Sequence, residues 1–131
     1  MTVAARFLCL LLLAVTVSAE PPKDVLDFLR TAAENLADQN TSGFLDHFDR
    51  GMPGYSKLKD EIEALAYADV SSSIEFANDE GDERARAMQL DWIIRINGAE
   101  PRRQLIDCRI EKRGKVWKIT SLRPIEFFAQ P

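Results

Sequence analysis

The chain predicts an α+β fold: three N-terminal helices packed on a curved four-stranded antiparallel sheet. Two observations carry this. Over residues 25–65 apolar side chains recur at three- and four-residue steps, and over residues 70–119 they recur at every second position. A helix returns to the same face about every 3.6 residues, whereas a strand sends successive side chains to opposite faces. Helices therefore come first and strands after, which segregates them into two layers.

Taken in order, Glu20-Pro21-Pro22-Lys23 is a non-helical lead-in, because proline cannot donate to a helix. Val25, Phe28, Leu29, Ala32 and Leu36 then form the stripe of an amphipathic helix. Asp24 and Asp27 sit in its first turn, at the positive end of the helix dipole. Asp38 to Gly43 are cap and turn formers, with Asn40 placed to cap the next helix. Phe44, Leu45 and Phe48 make that brief second helix, ended by Arg50-Gly51-Met52-Pro53-Gly54. Tyr55, Leu58, Ile62 and Leu65 share one face of a third, with Lys57, Lys59, Asp60, Glu61 and Glu63 opposite.

Val70, Ser72, Ile74 and Phe76 alternate as a first strand, and Asn78 to Asp82 supply a turn. Met88, Leu90, Trp92, Ile94 and Ile96 share one phase of the second strand, with Arg86 joining it. Asn97 to Pro101 form a loop, and Ile106, Cys108 and Ile110 mark the third strand. Lys112 to Lys115 turn the chain into a fourth strand carrying Trp117 and Ile119.

The bulk numbers bound the function classes. A chain of 131 residues suits one domain, and 46% apolar with 29% charged residues is a globular balance. Arg6, the apolar run from Phe7 and the small residues Val17-Ser18-Ala19 read as a signal peptide over residues 1–19. Cleavage after Ala19 leaves residues 20–131 as a single domain, exported to a periplasmic or extracellular space. The apolar run, Phe7 to Val17, is too short to span a bilayer, so no membrane anchor is expected after cleavage. The net charge of −4 becomes one unit more negative when Arg6 leaves. That speaks against nucleic acid and anionic lipid as partners. Cys9 leaves with the signal, so Cys108 stands alone and no internal disulfide forms.

Three helices then four strands, the run Phe44-Leu45-Asp46-His47-Phe48 and the closing Val116-Trp117-Lys118-Ile119 resemble the nuclear transport factor 2-like superfamily. This is the cystatin-like cone, which includes SnoaL-like proteins. The resemblance covers nearly all of residues 20–131 and implies a cone whose mouth lies between the helices and the concave sheet face. Its members include small isomerases, dehydratases, polyketide cyclases and non-catalytic binding or assembly modules, so fold does not choose among them.

In such a cone Phe44, Phe48, Tyr55, Leu58, Ile62, Trp92, Ile106, Cys108 and Trp117 converge, with His47 beside them. They either line a pocket for a small apolar ligand or fill the space as a core. His47, the sole histidine, is the candidate for proton transfer, oriented by Asp46 or Asp49. The resemblance also implies carboxylic acids inside the cone of isomerase-like members. Here Asp91 and Asp107 lie on the phase opposite Trp92 and Ile106, and only Ser72 and Gln104 are polar on the inner phase. The sequence thus favours a binding or assembly module over a cofactor-independent isomerase, dehydratase or cyclase. One histidine and one cysteine cannot make a structural zinc site, Asp79 to Glu83 lack calcium-loop spacing, and no cofactor is expected.

The outer phase mixes Ile93, Leu105, Val116 and Leu122 with Asp91, Arg95, Arg103, Asp107, Arg109, Glu111 and Lys118. Apolar side chains among charges of both signs mark a protein contact surface. The resemblance implies dimerisation through this face, so a homodimer using Ile93, Arg95, Leu105, Asp107, Arg109 and Leu122 is expected. A purely structural homodimer subunit is the third reading.

Overall fold

The computed structural model describes residues 21–131; the signal peptide expected over residues 1–19, its cleavage at Ala19 and Cys9 lie outside them. Helix α1 (Lys23–Ala37) starts where the Pro22 carbonyl accepts from the Val25 and Leu26 amides. It buries Val25, Leu29, Ala32, Ala33 and Leu36, the stripe the spacing predicts except for half-buried Phe28. Helix α2 (Thr41–Leu45) is capped by Asn40, whose Oδ1 accepts from the Gly43 amide at 3.0 Å. It is shorter than expected. Phe48 lies beyond it and bridges to Ile119 in parallel, with the Ile119 amide donating to the His47 carbonyl at 2.7 Å. Helix α3 (Tyr55–Glu63) begins after Gly54, whose φ of 81° suits glycine. A Cβ there would also fall 2.4 Å from Ile125 Cδ1.

The sheet runs β1 (Val70–Gly81), β2 (Ala85–Ile96), β3 (Arg102–Arg113) and β4 (Val116–Arg123), in that order and antiparallel throughout. The central pair β2–β3 keeps an unbroken register, with Leu90 opposite Ile106 and Met88 opposite Cys108. Two irregularities correct the sequence reading. In β1 the register shifts between Phe76 and Asn78, so the strand continues to Gly81 where a turn was expected. In β4 Ile119 faces Ile110 while Ser121 faces Arg109, leaving Thr120 as an extra residue. That residue reverses the phase, so Leu122 turns inward opposite Cys108 and is 1% exposed. Leu122 is therefore a core residue and not part of the outer face.

The core is one cluster between the inner faces of the helices and the inner face of the sheet. Among the described residues no polar or charged residue is buried. Gln104 pairs with Trp92 yet is exposed, on the part of β3 past Asp107 that β4 does not reach. A 3-10 helix (Ile125–Phe128), not anticipated from the sequence, closes the chain and buries Ile125, Phe127 and Phe128. No helix among the described residues is long and apolar enough to cross a membrane.

Candidate functional site

Trp92 stands at the centre of the cone, fully buried, because its phase on β2 faces the helices. Its indole N–H would be costly unpaired, and it donates to Ser72 Oγ on β1 at 2.8 Å. Phe44 from α2 meets Trp92 with ring centroids 6.3 Å apart, and Phe48 meets Phe44 at 5.1 Å. Leu58 and Ile62 of α3 and Ile106 and Cys108 of β3 are buried in the same cluster, with Tyr55 packed half-buried against it. The side chains expected to converge do so by packing on one another. Burial pushes the Cys108 thiol up to about 12, far from a reactive thiolate.

Phe127 and Phe128 complete this interior. Phe128 lies 5.1 Å from Trp92 and 5.6 Å from Phe44, and Phe127 lies 6.3 Å from Trp92. Polar ties around the rim hold the segment. Arg102 donates to the Phe127 carbonyl at 2.6 Å and to the Ala129 carbonyl, and Gln130 donates to the Ala64 carbonyl at 2.9 Å. Lys57 pairs with Glu126 at 2.6 Å. Beneath them one carboxyl oxygen of Glu61 is buried without a partner, and burial raises that group above the ordinary glutamate range. The sequence reading missed this plug because a single 3-10 turn has no periodic signature. Two adjacent phenylalanines shortly after Pro124 were the only signal.

His47 sits at the rim, half-buried, with its ring 4.8 Å from Phe28. Its Nδ1 lies 2.8 Å from the Gly43 carbonyl, which fixes Nδ1 as the donor in the neutral ring and leaves Nε2 unprotonated. Neither proposed orienting carboxylate reaches it. Asp49 accepts from the Gly51 amide and from Arg113, while Asp46 ends α2 and its carbonyl takes the Lys118 ammonium. Nearby, Trp117 of β4 donates to Asp24 Oδ2 at 2.9 Å, with Lys112 5.3 Å above the indole ring. The indole bond, then the Val25 amide and Lys112, hold the Asp24 carboxyl below the ordinary aspartate range. The deeper charged pair, Arg86 with Asp79 at 2.8 Å, is fully engaged, since Arg86 also donates to the Asp82 carbonyl.

The outer face of the sheet is organised differently. Asp91 and Arg103 form a two-bond pair at 3.0 and 2.6 Å, which lowers the Asp91 carboxyl. Arg113 is shared by Asp49 and Glu111. Between these charges Ile93, Leu105 and Val116 are exposed, Leu105 by 52% and Val116 by 55%. Asp107 and Arg109 are also exposed on this face, as their phase predicts. A trough of about 290 Å³ opens beside them over Ala87. Among the described residues no three His, Cys, Asp or Glu side chains cluster as metal ligands.

No protein-family model and no curated protein matches the chain. Solved structures do. An NTF-2 like protein of unknown function from Shewanella oneidensis superposes with a TM-score of 0.68 at 10% identity, over 79% of this chain and 97% of that one. A protein of unknown function with a cystatin-like fold from Nostoc punctiforme gives 0.58 at 12% identity, over 75% and 84% of the two chains. Aln2 from a Streptomyces species gives 0.61 at 13% identity, over 79% and 91%. The chain therefore has the NTF2-like, cystatin-like α+β cone fold.

Proposed function

We propose that the protein is an exported, non-catalytic assembly module that works as a homodimer through the outer face of its sheet. The observation that carries this is Leu105, 52% exposed on the outer face, beside Ile93 and framed by Arg95 and the Asp91–Arg103 pair. Ile93 faces Arg103 and Asp91 faces Leu105 across the β2–β3 pair, so the two apolar side chains are diagonal neighbours and make one patch. A two-fold contact needs a self-complementary surface, and an apolar centre ringed by both charge signs satisfies that need. The packed interior also favours assembly over a small apolar ligand, which could enter the cone only by displacing Phe127 and Phe128. Proton transfer by His47 gains no support from its surroundings, since neither Asp46 nor Asp49 reaches its ring.

Native mass spectrometry of the secreted protein tests export and assembly together. The expected species is a dimer beginning at Glu20, with Leu105→Glu shifting it to monomer. A wild-type monomer at tens of micromolar would overturn the assembly reading, and an intact N-terminus would overturn export.

A further inference from the structure

The trough beside the proposed contact patch has a composition of its own. Two adjacent rows cross all four strands there. One runs Glu80, Ala87, Arg109, Ser121, and the other Asn78, Gln89, Asp107, Arg123. Both irregularities in the sheet serve this layout. The shift after Phe76 brings Asn78 and Glu80 to the outer face, and the extra Thr120 does the same for Ser121 and Arg123. Bulges are often found where a side chain must be re-aimed at a site.

Along the first row Glu80 and Arg109 face each other across Ala87, two strand spacings or about 10 Å apart. Among the described residues no ion pair closes that gap, and Ala87 forms its floor. Among the described residues Glu80, Arg109 and Arg123 have no charged partner, in contrast to the paired Asp91–Arg103 and Asp49–Arg113 on the same side. Arg109 and Arg123 are diagonal neighbours, and both line the trough. Asp107, which accepts from Gln89 at 3.3 Å, lies beside them and disfavours a dianion there.

We infer that this trough binds a small zwitterion, its carboxylate taken by Arg109 and Arg123 and its ammonium by Glu80. A free amino acid or a very short peptide has that chemistry. Guanidinium groups match a carboxylate through paired N–H donors, and the opposed carboxylate supplies the second contact that a simple anion lacks. The site goes beyond the assembly reading. Its floor at Ala87 lies three rows along the β2–β3 ladder from Ile93.

The test is a ¹⁵N–¹H correlation titration of the full chain with glycylglycine, run beside acetate and ethylammonium. Glycylglycine should give saturable shifts centred on Ala87, Gln89 and Ser121, with each half-ligand at least about tenfold weaker. Arg109→Gln and Glu80→Gln should each weaken glycylglycine by about tenfold. Acetate binding as tightly as glycylglycine, shifts centred elsewhere, or no saturation would each overturn the inference.

Discussion

Trp92 and Phe128 meet edge to face, with ring centroids 5.1 Å apart and planes at 83°. The last turn of the chain thus supplies the ring that covers the indole at the middle of the sheet. Truncating a fully buried phenylalanine removes its transfer energy and leaves a cavity, so Phe128→Ala should cost about 3–5 kcal/mol. Urea unfolding followed by tryptophan fluorescence measures it. A midpoint equal to wild type would mean that the C-terminal segment is not docked.

Leu122 and Leu105 make a second comparison, since chemistry is the same and only placement differs. Leu122→Ala should lose about 2–5 kcal/mol, because its side chain is enclosed opposite Cys108. Leu105→Ala, measured on the monomer, should stay within about 0.5 kcal/mol. Equal losses would place Thr120 back in the ladder and refute the register of β4.

The Asp24 carboxyl is held low, chiefly by the Trp117 indole N–H and less by the Val25 amide and Lys112. A group whose folded value lies below its unfolded one stabilises the fold above the unfolded value. That contribution is lost as pH falls through the folded value. Asp24→Asn should therefore be less stable than wild type near neutrality, with the gap closing as pH drops below the ordinary aspartate range. The side chain is more than half exposed, so the gap should be small and shrink further in salt. A gap that widens on acidification would contradict the assignment.

Cys108 offers a probe of global opening. Its thiol is enclosed and pushed up to about 12, so a thiol reagent at mildly alkaline pH should not label the native protein. Labelling should appear with urea along the same curve as tryptophan fluorescence. Rapid native labelling would show that the sheet centre opens locally.

Much of this architecture could be read directly, for definite reasons. β2 and β3 pair without interruption, so one phase served for twelve residues and put Trp92, Ile106 and Cys108 inside with Asp91 and Asp107 outside. The helical stripe of α1 likewise matched its buried residues. The failures sit where one residue breaks a period. Thr120 turned Leu122 inward, and the shift after Phe76 lengthened β1 into the expected turn. Nothing in Ala77 or Thr120 as residue types announces an irregularity, because the cause is the pairing partner. Gln104 failed for another reason: its phase was right, but alternation does not show how far along a strand the core extends. The trough is invisible for the first reason, being assembled from four strands by two register shifts.

The bridge between the α2 exit and β4 has a consequence for aggregation. Ile119 gives its amide to His47 and its carbonyl to Asp49, so the β4 margin is already occupied midway. Among the described residues the far margin of β1 carries no such cover. Strand-by-strand growth is then open on a single side, and two molecules joined there would exhaust it. A sheet bare at both margins can template a fibre, whereas growth from a single margin would stop at two molecules.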